Sequence, residues 1–204
     1  MLHTFRGSLR GFTLVELLVT LAVAAILLGV AAPNFRNAIQ DSQQNSCIYD
    51  LIGAMQYARS EAIKQSSRIS VCALADDGSC GSNWNNSWQV FIDTGATIGA
   101  IDPGETVLRT GCSLPSDLTV STLARQRNNG SSETARGFVR FGPRGTSNWR
   151  GGGTFLFCDS RGIDNAVGIN LSISGDIRRA RRDGDDNLIN AFGENAACIP
   201  ITDS

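Results

Sequence analysis

The stretch RGFTLVELLVTLAVAAILLGVAAPNF, residues 10–35, decides how the rest of the chain is read. Residues 12–32 are apolar apart from Thr13, Glu16, Thr20 and Gly29, a run of 21 residues. As an α-helix rising 1.5 Å per residue, such a run is about 32 Å long, enough to cross the hydrocarbon core of a bilayer. Glu16 interrupts it near its start. A charge at that depth costs roughly 2.5–3.5 kcal/mol on insertion scales and usually marks function.

The residues ahead of the run, MLHTFRGSLRG, contain Arg6 and Arg10 and no acid. Positive charge stays on the cytoplasmic side, so this pattern places the amino terminus there and the body beyond the membrane. A secretory signal peptide is the competing reading. The run is longer than the usual apolar region of such a peptide, and the nearest small-x-small site, VAAPNF, meets a proline.

All six cysteines, Cys47, Cys72, Cys80, Cys112, Cys158 and Cys198, follow the apolar run. An even number on the translocated side reads as disulfides in an oxidising compartment. No C-x-x-C pair is present, which argues against a thiolate zinc cage. Six cysteines allow fifteen pairings. Cys72 and Cys80 flank the turn-rich ALADDGS and are expected to close a small loop; Cys158 with Cys198 is the second expected pair. Cys47 and Cys112 then remain by elimination.

The single histidine, His3, lies ahead of the run, so the body has no imidazole for a Ser-His-Asp, Cys-His or histidine-metal site. That argues against a membrane-tethered enzyme, the reading from a different functional class. No cofactor and no metal are expected. Lys64 is the only lysine beside 17 arginines, and the net charge is −1. Removing residues 1–11 takes away two arginines and no acid, leaving −3. This excludes a globally basic nucleic-acid binder but not a local basic patch.

After Pro33 the helical pattern resumes. Ile48, Leu51, Ile52, Met55, Ala58 and Ala62 recur at three- and four-residue steps, while Arg36, Gln40, Gln43, Gln44, Asp50 and Arg59 take the remaining positions. One long helix is predicted over about residues 12–64, apolar all round in its first half and amphipathic in its second. From Arg68 the period becomes two. RISVCAL, SWQVFID, ETVLR, LTVSTL, GFVRFG, GTFLFCD and VGINLSIS are bounded by turn residues and predict seven or eight antiparallel strands. The polar stretch at residues 124–137, ARQRNNGSSETARG, reads as a mobile loop.

RGFTLVELL resembles the prepilin signature of type IV pilins and type II secretion pseudopilins. The resemblance implies cleavage by prepilin peptidase between Gly11 and Phe12, and N-methylation of Phe12 as the new amino terminus. Glu16 becomes the fifth mature residue, and Pro33 falls where many pilins carry proline. A buried carboxylate needs a partner. In a filament Glu16 of one helix can meet the free ammonium of Phe12 in a neighbour, which rejects wrong registers. Further along, LIGAMQYARSEAIKQSSRISVC, SWQVFIDTG, GETVLR, FVRFGPRG, FLFCDSRG and INLSISGDIRRAR resemble the GspH/FimT family of minor pilins and pseudopilins.

That resemblance implies an α+β pilin fold, a long N-terminal helix packed on two small antiparallel sheets. The expected organisation is a leader at 1–11, a transmembrane and filament-core half-helix at 12–33, an amphipathic half-helix at 34–66 and a periplasmic β domain at 67–204. The implied role is a low-copy subunit that primes or caps a type IV pilus or type II secretion pseudopilus. Its implied partners are prepilin peptidase, other minor and major pilins or pseudopilins, and the inner-membrane assembly platform. Its implied location is a single pass in the inner membrane before assembly.

The alternative is a minor pilin that binds double-stranded DNA for uptake. Family members that do so resemble one another in a glycine-arginine-x-arginine motif. Here GDIRRARR keeps Gly175 and Arg178, but Asp176 replaces the first arginine, while Arg179, Arg181 and Arg182 follow. Arginine suits phosphate neutralisation. Yet residues 176–186 hold four arginines and four aspartates, so a charge-balanced hairpin and an acidic partner surface stay open beside DNA contact. Asp93, Asp102 and Glu105 match no EF-hand spacing and read as a strand connection. GPRGTSNWRGGG lacks a P-loop lysine. Trp84, Trp88 and Trp149 read as core anchors.

Overall fold

The computed structural model describes residues 12–125, 133–134 and 136–198. Gly11 and most of the polar stretch expected to be a mobile loop, 126–132 and 135, lie outside the described residues. The chain divides into two compact units at Ser42/Gln43.

Helix α1, Leu14–Lys64, starts where the sequence signals it. Thr13 is the N-cap, and its Oγ1 accepts the Glu16 backbone N–H at 3.2 Å, one half of a T-x-x-E capping box. Pro33 lies within α1. In the first unit the apolar side chains face solvent: Phe12 is 80% exposed, Leu14 74% and Leu28 69%. Among the described residues no helix is long and apolar enough to cross a membrane. The side chains of residues 30–34, of which 30–32 complete the apolar run of the sequence, are outside the described set.

In the second unit the predicted helical face is the buried one. Ile48, Leu51, Met55, Ala58 and Ala62 have no exposed surface, and Ile52 packs at the margin. They meet two antiparallel sheets. The first has β2 (Cys80–Gly81), β1 (Ile69–Leu74), β3 (Trp88–Ile92) and β4 (Val107–Thr110) in that order, with β7 (Phe138–Phe141) also pairing β1. The second runs β10 (Ile177–Arg179), β9 (Val167–Leu171), β8 (Gly153–Cys158), β5 (Thr119–Arg125) and β6 (Glu133–Thr134). The seven runs read from the sequence are all strands here. The extra ones, β2, β6 and β10, are two or three residues long, too short to show a period. The β5–β6 pair takes up both ends of the expected loop, with Ala124 opposite Thr134.

β8 explains how one chain fills two cores. Successive strand residues face opposite sides. Phe155 and Phe157 join the main core of α1 and both sheets, while Leu156 and Cys158 enter a smaller one with Ala166, Leu188 and Ala196. Trp149 stacks on Phe155 at 5.0 Å and Trp84 meets it edge-on at 4.8 Å. Their ring N–H groups donate to the carbonyls of Phe138 and Arg136. Disulfides join Cys72 to Cys80 and Cys158 to Cys198. The first closes the β1–β2 hairpin, and the second fastens the C-terminal segment over the smaller core. Cys47 and Cys112 are unbonded.

Candidate functional site

Two candidate surfaces follow from the sequence, the start of α1 and the arginine run. At the first, Phe12 and Glu16 are both exposed. The missed feature there is Thr13. The motif T-x-x-E carries its own signal, and it gives Glu16 a local position as the third helical residue in addition to its charge. Thr20 turns its hydroxyl back onto the Leu17 carbonyl at 2.9 Å, so this polar side chain is satisfied within its own helix.

The arginine run folds as β10 and the bend after it. Its four guanidinium groups go to different places. Arg178 donates through Nε to Asp176 at 2.6 Å, an exposed pair. Arg179 reaches back to α1, donating to Asn45 Oδ1 at 3.1 Å and lying 5.9 Å over the Tyr49 ring. Arg182 is largely withdrawn from solvent. It donates to the backbone carbonyls of Asp164 at 2.7 Å, Ile163 at 2.9 Å, Ala166 at 3.2 Å and Asp186 at 2.7 Å. Arg181 is exposed; its carbonyl accepts the Ile189 N–H at 2.8 Å, while its guanidinium makes no ion pair or hydrogen bond among the described residues. Three of the four are thus engaged within the chain. Asp183 is not a partner of these arginines but the centre of the following turn. The Asn187 backbone N–H, then its side chain, hold its carboxyl below the usual range.

Gly175 is structural in this fold. Its φ is +76°, and a Cβ there would lie 2.0 Å from the Gly145 carbonyl oxygen. Arg59 of α1 fixes the same junction, donating to the carbonyls of Gly145 at 3.1 Å and Ser174 at 2.9 Å. Asp50, also read as polar helix surface, accepts from Arg109 at 2.6 Å and from the Cys112 N–H at 3.0 Å. No sequence signal distinguishes such docking residues from solvated ones, because their partners are remote in sequence.

The carboxylates at 93–105 are occupied by the connection they close. Glu105 accepts the backbone N–H groups of Thr94, Gly95 and Asp102, and Asp102 accepts that of Thr97. Asp93 is buried, takes the Ser70 hydroxyl at 2.5 Å and the Gly99 N–H at 3.0 Å, and lies 3.8 Å from Arg140. Among the described residues no group of three or more metal-ligating side chains is assembled.

Comparison with known proteins agrees with this architecture. The family model described as Type II transport protein GspH matches residues 49–176, and that described as Prokaryotic N-terminal methylation motif matches residues 8–32. No curated protein matched the chain. Among solved structures, the type IV minor pilin FimU of Pseudomonas aeruginosa is similar in two crystal forms. In one the identity is 23%, with 67% of this chain and 92% of that one covered and a TM-score of 0.50. In the other these are 24%, 68%, 88% and 0.50. The solved structures establish the fold, an α+β pilin fold, and the two family matches span both the apolar start and the sheets. The chain belongs to the GspH family of type IV minor pilins and pseudopilins and carries the N-terminal methylation motif of such subunits.

Proposed function

We propose that this chain is a filament subunit that primes or caps a type IV pilus or type II secretion pseudopilus, and that its work is assembly rather than catalysis. Prepilin peptidase cuts between Gly11 and Phe12, and Phe12 is N-methylated. Residues 12–33 form a single inner-membrane span, with the amino terminus cytoplasmic, and later join the filament core. Residues 34–66 carry the amphipathic half-helix and 67–204 the periplasmic β domain. Other pilins or pseudopilins and the inner-membrane platform are the partners.

The observation that carries this reading is the contrast within α1. The apolar residues from Phe12 to Leu28 are exposed, whereas those from Ile48 to Ala62 are buried in the chain's own core. An apolar helix left uncovered requires lipid or other helices around it. Glu16 then sets register by meeting the Phe12 ammonium of a neighbour. Duplex DNA contact, the alternative role, would draw first on Arg181, the arginine of the run whose side chain has no partner among the described residues.

Glu16→Gln separates the two roles of this residue, because glutamine serves equally at the third position of a capping box. Helix start and peptidase cleavage are expected to persist. Recovery of the subunit in sheared filaments is expected to fall more than tenfold, since an unpaired buried ammonium costs about 3–5 kcal/mol. Recovery equal to that of the unaltered chain would refute the charge pairing.

A further inference from the structure

Cys47 and Cys112 are not neighbours by accident. Their sulfurs lie 2.7 Å apart across 65 residues of chain. Cys47 is buried on α1, and Cys112 is half-buried just beyond β4. Asp50 is three residues along the helix from Cys47 and so shares its face. That carboxylate holds the Cys112 N–H at 3.0 Å and Arg109 at 2.6 Å. The helix therefore carries one cysteine together with the anchor that positions the other.

The separation is shorter than a resting contact between two unbonded sulfurs, though longer than the S–S bond of a disulfide, so closure needs only a small approach of the two side chains. The other four cysteines are paired, which fits an oxidising compartment. We propose that Cys47 and Cys112 close a third disulfide, tying α1 to the β4 side of the first sheet.

The oxidant is a disulfide, either that of a thiol–disulfide oxidoreductase or a small-molecule disulfide. One cysteine thiolate attacks it, forms a mixed disulfide and releases one acceptor thiol. The second cysteine thiolate attacks the chain's sulfur in that mixed disulfide and releases the other acceptor thiol. Two protons and two electrons leave the cysteine pair, and the acceptor gains them. Burial, then the hydrogen bond and charge of Cys47, then Asp50, push the Cys112 thiol far above the ordinary thiol range. Little thiolate is present once the segment is docked, so closure belongs to folding, before Cys112 is covered.

The test uses the full chain purified in detergent from an oxidising compartment, denatured without reductant, alkylated and peptide-mapped. The expected result is no alkylated cysteine and a crosslinked peptide joining residues 47 and 112. The paired variant Cys47→Ser/Cys112→Ser is expected to retain the other two disulfides and to melt several degrees lower. Alkylation at both Cys47 and Cys112, with Cys72–Cys80 and Cys158–Cys198 intact, would overturn the proposal.

Discussion

Arg178, Arg179, Arg181 and Arg182 are chemically identical, yet the fold uses each differently. Charge and spacing cannot separate them, because the remote partners that do so, Asn45 on α1 for Arg179 and the carbonyls at 163–166 for Arg182, lie far away in sequence. The anchoring of Arg182 on four backbone carbonyls is the strongest of these commitments. Replacing it with methionine keeps the apolar stem and strands several acceptors. Arg182→Met is expected to lower stability by about 1–3 kcal/mol, whereas Arg181→Gln is expected to stay within about 0.5 kcal/mol of the original. Urea midpoints of the two variants check this, and equal midpoints would contradict the assignment. Gly175→Ala is expected to cost about 1–3 kcal/mol in the same assay, because its positive φ and the Gly145 carbonyl leave no place for a methyl group.

At the level of elements, the long-period signals were readable and the short ones were not. The buried face of α1 shows in the spacing of Ile48, Leu51, Met55, Ala58 and Ala62, and the strand runs show in their β-branched residues. β10 and the C-terminal segment are different. Leu188 and Ala196 lack any period and become core only because β8 offers them its second face. A continuous apolar run such as GTFLFC is itself the sign of a strand buried on both sides. Leu156→Ala is therefore expected to destabilise by about 2–5 kcal/mol, as a core truncation does. Ile173→Ala, at a side chain 51% exposed, is expected to have little effect. Similar losses at both positions, measured by thermal denaturation, would argue against a second core.

For the whole molecule, stability rests on a core reinforced by covalent and charged ties. Asp159 beside the Cys158–Cys198 disulfide is one of them. Burial pushes its carboxyl up, but the Arg161 side chain at 2.6 Å and the Arg161 N–H outweigh that and hold it below the usual carboxylate range. A carboxyl depressed in the folded state stabilises the fold above its unfolded value, about 3.9, and that contribution is lost as pH falls through the folded value. Asp159→Asn is expected to be less stable than the original at pH 7, with the gap closing below about pH 4. Urea titrations at pH 7 and pH 3 read this directly. A gap undiminished between pH 7 and pH 3 would place the loss elsewhere.

Filament assembly through a processed, exposed apolar helix is the central claim. Its most direct test is the amino terminus of the chain recovered from sheared filaments, read by mass spectrometry. The account predicts a chain that begins with N-methylated Phe12 and is enriched in the sheared fraction. A chain that keeps residues 1–11 and stays wholly with the membrane would contradict it.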